Sequence, residues 1–353
     1  MKNLYVVSIE PFCGKTALCV GIAINLRAQG LKVNYMKPVG NPSASIVGIT
    51  TDEDAVNVCR ALGCESDLAL TVPVLLTPEV VRLPLKGPVP DLSAPIKPAL
   101  AQLSQDQDLV ILEGGATIVE GLSLGLSAIQ VAELTDARVV LVTRSHRNLS
   151  LDDILAAEGL LHGRLIGVIV NFATKGTANQ IRADLTSFLA AHNLQLFGVV
   201  PSDKHLMAIT VREIREALGA ELLSGTEDEM EELVEDFMIG AMTADAALHH
   251  FQRKTEKAVI TGGDRSDIQL AALRTPTKCL ILTGNLRPIP AILGRAAEAR
   301  VPVLLAREDT LTVTERLGKV MGRARLTSPQ QVQTVVRMVK RDIDLEALKN
   351  ALR

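Results

Sequence analysis

Gly14-Lys15-Thr16 ends the loop Ser8-Ile9-Glu10-Pro11-Phe12-Cys13-Gly14-Lys15-Thr16, and a helical pattern runs on from Ala17. A lysine between a glycine and a threonine at a helix mouth suits phosphate binding. Backbone N–H groups wrap the anion, the helix N-terminus faces it, the lysine reaches its terminal oxygens and the hydroxyl meets a magnesium ion. The loop residues Glu10, Phe12, Cys13, Gly14, Lys15, Thr16 and Ala17 are therefore expected to line a nucleotide site. The usual first glycine is missing: Ile9 holds the four-spaced position and Ser8 the five-spaced one. A chance Gly-Lys-Thr at a helix start is the alternative that the remaining residues must remove.

Four later residues fit the same chemistry. Lys37 precedes Pro38, which holds it extended at a strand end, either beside the loop or as a lysine at a sheet edge. Asp54, in Thr51-Asp52-Glu53-Asp54, either caps the following helix or joins a magnesium site, since that ion takes one or two carboxylates plus phosphate oxygens. Glu113 closes an apolar run and is followed by Gly114-Gly115, where a carboxylate would meet the metal and the glycines admit close backbone. Asn171 ends another run and either reads a base edge or forms a turn. Pro201 begins a further strand-end loop, Pro201-Ser202-Asp203.

The elements that position these residues are legible in the hydropathy. Leu4–Ile9, Lys32–Tyr35, Leu109–Leu112, Arg138–Val142, Leu165–Val170 and Leu196–Val200 are continuous apolar runs separated by helical patterns. Strands buried on both faces read this way, so the spacing predicts an α/β fold with a parallel sheet, its ligands beyond the strands' C-terminal ends. Between Val72 and Pro98 seven prolines predict a loop excursion, of the length that serves as a lid or a partner contact. After Asp203 the pattern changes. Thr210 to Gly219 reads as a capped amphipathic helix, and the acidic run Glu227 to Glu232 as a solvated helix face. Lys257–Thr261, Cys279–Thr283 and Val301–Leu305 then resume the alternation as a second, smaller α/β domain. Ser328 to Arg353 reads as an amphipathic helical segment, packing on its own domain or on another copy.

The 353 residues carry 47 % hydrophobic and 22 % charged residues and a net charge of -3. This is a globular chain with no basic surplus for a phosphate backbone and, with no Trp, few stacking platforms, so nucleic acid is not an expected partner. No apolar run approaches the roughly 18–20 residues of a membrane span, and no signal peptide is visible. Five scattered cysteines without metal spacing point to a reducing, cytoplasmic setting. Cys13, inside the loop, is either redox-sensitive or a small filler.

Together, the loop, Lys37-Pro38-Val39, Asp54-Ala55, Glu113-Gly114-Gly115 and Asn171 resemble the dethiobiotin synthetase family and the related N-terminal domain of long bacterial phosphate acetyltransferases, over residues 1–205. The resemblance implies ATP bound with Mg2+. Lys15 and Lys37 would neutralise a transferring phosphoryl group, Thr16, Asp54 and Glu113 would hold the metal, and Asn171 would contact the base. Glu10 stands where partitioning ATPases often carry a second lysine, which argues against their sandwich dimer. Ser8 and Asn41 depart from the family pattern, and residues 117–127 do not form a recognisable diaminoacid pocket.

Ile260-Thr261-Gly262-Gly263-Asp264-Arg265, with the Thr210 helix and Gly240-Ala241-Met242-Thr243, resembles the DRTGG domain over residues 206–325, a regulatory and dimer-forming module. Gly262, Gly263, Asp264 and Arg265 either bind a small anionic effector at a helix N-terminus or serve as a cap and a local ion pair. Residues 326–353 are expected to form a C-terminal helical segment.

No third domain follows, so acetyl transfer is not expected from this chain. The first functional reading is an ATP-binding, dimeric regulatory protein, a weak or partner-dependent ATPase. The second is an ATP-dependent enzyme activating a carboxylate or carbamate, of the dethiobiotin or cobyrinate diamide synthase type. The third is a non-catalytic partner of a separate acetyltransferase.

Overall fold

In the computed structural model, which describes residues 2–46, 49–65, 68–145, 151–174, 176–320, 326 and 328–353, the apolar runs of the first half become one sheet. Its strands are β1 (Lys2–Ser8), β2 (Val33–Met36), β3 (Leu109–Glu113), β4 (Arg138–Arg144), β5 (Leu165–Ala173) and β6 (Gln195–Pro201), in the order β6-β5-β4-β1-β3-β2. Every pairing is parallel. Helices cover both faces, so each strand is apolar along its length rather than alternating. Val6, Val110, Ile111, Leu112, Val140 and Leu141 are wholly buried.

Helix α1 (Lys15–Ala28) follows β1 directly, and α2 (Glu53–Leu62) follows the loop after β2. α1 buries Leu18, Cys19, Val20, Ile22, Ala23 and Leu26. A helix apolar around most of its circumference needs cover on two sides.

The sheet gives one side and the chain's C-terminal residues give the other. The compact unit containing the loop comprises Met1–Asp203 together with Arg325–Arg353, and the second unit is Lys204–Ala324. Residues 326–353, which the sequence presents as a closing segment after the second domain, thus belong to the first unit. A helix at Pro329–Asp342 lays Val335 and Val339 on α1. At Gly21 any Cβ would overlap Val339 and sit 3.0 Å from Val335 Cγ1, so glycine admits the close approach. Asn25, buried in the same seam, donates to the carbonyls of Gly21 (2.8 Å) and Val336 (2.9 Å). Ile343 bridges to Gly198 on the edge strand β6, and Asp344 N–H donates to Phe197 O at 2.8 Å. An edge that would otherwise present unpaired backbone is covered this way.

The second unit has its own five-stranded sheet, made of β7 (Glu221–Ser224), β8 (Asp236–Ile239), β9 (Lys257–Gly262), β10 (Thr277–Thr283) and β11 (Val303–Leu305), in the order β7-β11-β10-β9-β8. β7 is antiparallel and the rest are parallel. The Thr210 helix forms as read, at Val211–Leu218, with a capping box between Thr210 and Glu213. The acidic run differs from expectation: only Glu227–Met230 is helical, and the chain then enters strands. Among the described residues no helix is long and apolar enough to cross a membrane.

Candidate functional site

The loop leaves β1 at Ser8, which is wholly buried. Its Oγ donates toward the carbonyls of Glu10 (2.7 Å) and Ala116 (3.1 Å) and accepts from Lys15 Nζ at 2.6 Å. A serine in the missing glycine's place therefore ties the loop's two ends to each other and to the turn after β3. Gly14 takes a left-handed φ of 80°, and a Cβ there would lie 2.5 Å from Asn171 Nδ2, so both conformation and space call for glycine. Cys13 is buried with its thiol on Glu10 O. Burial, and then Glu10, push that thiol up to about 11. This is the small-filler reading; a reactive thiolate would need the opposite shift.

α1 begins without a side-chain cap and without an acidic residue in its first turn. α2, by contrast, is capped by Asp52. Lys15, the first residue of α1, is 7 % exposed. Among the described residues its ammonium meets a hydroxyl, not a carboxylate. Burial pulls its pKa down, while Glu113 opposes that pull. Thr16 Oγ1 donates to Glu113 Oε1 at 2.7 Å, and Tyr35 OH donates to Glu113 Oε2 at 2.8 Å. Glu113 is buried, which raises its pKa against the opposing field of Lys37.

Lys37 completes the group. Its ammonium contacts Asp52 Oδ1 at 2.8 Å, Asp54 Oδ2 at 3.0 Å and Glu113 Oε1 at 3.9 Å. Burial lowers its pKa, but Glu113, Asp54 and Asp52 outweigh this and hold it well above an ordinary lysine. Asp52 also accepts from the N–H groups of Asn41 (2.7 Å) and Ala55 (3.2 Å), which fixes the turn that carries Lys37 against the start of α2. The Asp54 side chain is 55 % exposed.

Lys15, Thr16, Lys37, Asp54 and Glu113 thus form one contiguous group at the C-terminal ends of β1, β2 and β3. Asn171 joins from β5: its Nδ2 donates to Cys13 O at 2.9 Å and its Oδ1 accepts from Phe172 N–H at 2.9 Å. The residue is buried and its amide is engaged with the loop's backbone. Pro201, on the edge strand β6, pairs in register with Ala173 of β5, and the strands β5 and β4 separate it from β1. Asp52, Tyr35 and Arg144 are members of this neighbourhood that residue types alone do not single out. Asp52 reads as a cap and Tyr35 as strand filler. Arg144 sits two residues past a run ending at Val142, where the strand-end rule points.

In the second unit, helix 266–273 follows β9 directly. A Cβ on Gly263 would collide with Leu286 O, so this glycine serves packing between two turns. Arg265 donates to Met242 O at 2.9 Å and pairs with Asp267 at 3.1 Å. The local-pair alternative describes Arg265.

Two buried ammonium groups, a hydroxyl and a carboxylate around an uncapped helix start can hold a polyanion with a divalent cation. Residues 2–210 match the family model of the AAA domain. The chain belongs to the AAA domain family. Its AAA domain is a P-loop domain, and residues 213–320 match the DRTGG domain. Over nearly the whole chain, the sequence is similar to the N-terminal part of long phosphate acetyltransferases. It is 24 % identical to the phosphate acetyltransferase of Pseudomonas putida across 98 % of this chain and 51 % of that protein. With the Synechocystis phosphate acetyltransferase it shares 23 % identity, across 100 % of this chain and 52 % of the relative. The chain therefore spans about half the length of the curated relatives it matches. Among solved structures, the MinD cell division protein of Aquifex aeolicus aligns with TM-score 0.37 and 16 % identity, covering 58 % of this chain and 84 % of that one. The CBS and DRTGG domains of the Clostridium perfringens pyrophosphatase regulatory region align with TM-score 0.31 and 16 % identity, covering 50 % and 86 %.

Proposed function

We propose that the AAA domain binds ATP with Mg2+ and that the chain acts as a nucleotide-sensing regulatory protein, hydrolysing ATP slowly or only with a partner. The observation that carries this reading is Lys15, a buried cation answered by a neutral hydroxyl at the mouth of an uncapped helix. An anion there completes the charge balance, as phosphate does at helix N-termini. In this reading Lys15 and the first N–H groups of α1 hold the terminal phosphates, and Thr16, Glu113 and Asp54 hold the metal. When bound, Mg2+ neutralises charge on the phosphate oxygens.

Lys37 supports sensing over turnover. An ammonium has three donors, and two of them already point at Asp52 and Asp54. That clasp has to open before Lys37 can turn to a transferring phosphoryl group. Exposed Leu286, Ile289 and Leu311 on the DRTGG-matching unit supply apolar surface that a homodimer would cover. Arg265 is engaged with Asp267, so the proposal does not extend to an anion at 262–265.

Calorimetric titration with ATP and Mg2+ tests the reading. Lys15→Ala is expected to weaken ATP by about 2–4 kcal/mol, roughly 30- to 800-fold. Unchanged affinity would overturn the reading. Phosphate release strongly stimulated by a diaminoacid or another carboxylate would replace sensing by carboxylate activation.

A further inference from the structure

Tyr35 stands behind the strand-end group, where phosphate chemistry does not call for it. In the parallel pairing of β2 with β3, Tyr35 lies opposite Ile111 and Met36 opposite Leu112. Side chains alternate along a strand, so Tyr35, Ile111 and Glu113 share one face. Strand spacing and rise put Glu113 diagonally across from Tyr35, about 8 Å away between backbones. A tyrosine spans that gap, and a serine or threonine is too short for it. The contact is made: Tyr35 OH donates to Glu113 Oε2 at 2.8 Å, and each of the two residues is 1 % exposed.

The other carboxylate oxygen, Oε1, accepts from Thr16 Oγ1 at 2.7 Å. A hydroxyl has one proton and two lone pairs. Thr16 gives its proton to Glu113, which leaves its lone pairs turned away from the carboxylate. Lys37 is the competing donor, its ammonium 3.9 Å from Glu113 Oε1. Without the tyrosine hydroxyl, Oε2 is a buried carboxylate oxygen that has lost its partner. Rotation toward Lys37 would satisfy it and turn Oε1 away from Thr16.

We propose that Tyr35 is a positioning residue for the cation of the bound nucleotide. It fixes the Glu113 carboxylate, and Glu113 holds the Thr16 hydroxyl with its lone pairs free for the metal. The inference rests on the reading of ATP with Mg2+ above. Tyr35 touches neither nucleotide nor metal and acts through Glu113, as the outer partners of metal-binding carboxylates do. A tyrosine that only filled the core would matter equally to ATP with and without the cation.

The full chain is titrated calorimetrically with ATP in Mg2+ and again with ATP in EDTA. Tyr35→Phe keeps the ring and removes the hydroxyl. The enhancement of ATP affinity by Mg2+ should fall about tenfold, with ATP in EDTA bound within about threefold of wild type. Mn2+ bound to the ATP complex, followed by electron paramagnetic resonance, should weaken about tenfold as well. Equal losses with and without the cation would overturn the positioning role, as would an unchanged enhancement. A second measurement keeps Tyr35 in place. The chain has two tyrosines, Tyr5 and Tyr35, so fluorotyrosine labelling gives two fluorine resonances, which Tyr5→Phe assigns. The Tyr35 resonance should move when Mg2+ joins bound ATP, and one that does not respond to Mg2+ would overturn the role. A wild-type chain that binds ATP in neither buffer would sink the ATP reading itself, and the positioning role with it.

Discussion

The two units each have a sheet that is parallel at its centre and glycines just after a strand, yet the glycines answer different needs. Gly14 has a left-handed backbone and no room for a Cβ beside Asn171. It opens a helix with no side-chain cap and a buried lysine in its first position. Gly263 lacks room because Leu286 O occupies the place of a Cβ, and the arginine after it is paired with Asp267. The same topological position carries both, so a glycine turn alone does not mark a ligand site. What sets the first turn apart is a buried lysine at the first position of an uncapped helix, its ammonium on a hydroxyl.

The largest contrast is in how the units fold. The second unit is one continuous stretch and should fold as an isolated 204–324 fragment. The AAA unit needs residues 326–353, which bury Val335, Val339, Ile343, Leu345, Leu348 and Leu352. Removing that much apolar surface costs on the order of 10 kcal/mol, comparable to the whole stability of a domain. A 1–203 fragment should therefore show no cooperative thermal transition by circular dichroism, and a sharp one would break the contrast. Gly263→Ala comes next. The overlap with Leu286 O should cost about 3 kcal/mol in denaturant titration of the second unit while leaving ATP affinity unaltered.

Smaller effects separate the buried polar groups. Tyr35→Phe leaves Glu113 Oε2 without its donor and should cost about 2 kcal/mol of stability in the AAA unit. Lys257, wholly buried at the start of β9, donates to Pro276 O at 2.6 Å, and burial lowers its pKa to about 8. Between that value and the unfolded-state value near 10.5, the unfolded chain holds the extra proton. Stability contributed by this group therefore rises with pH across the window. Lys257→Met should be the more stable protein at pH 7, by about 1 kcal/mol once the lost hydrogen bond is offset. The gap should close as the pH approaches 10. A gap that widens with pH would contradict the assignment.

Much of the AAA unit could be read in advance, because β1 to β6 are unbroken apolar runs and both loop and strand ends carry chemically distinctive residues. The sequence could not say which of Asp52, Glu53 and Asp54 reaches Lys37; backbone geometry at the start of α2 decides that. That Asn171 also ties down the loop could not be read in one dimension, because the register of β5 is what brings its amide to Cys13 O. The strand Asp236–Ile239 hides behind the acidic run that precedes it. Ser328 to Arg353 lies next to the second unit in sequence and packs on the first. Only the apolar circumference of α1 hints at that second cover, and it does not name the covering segment.

Amide hydrogen exchange of the full chain with and without ATP and Mg2+ compares both strand-end turns in a single experiment. The account predicts slower exchange across Glu10–Leu18 and Glu113–Ala116, and no change across Ile260–Ser266. Protection at Ile260–Ser266 without protection of the loop would contradict it.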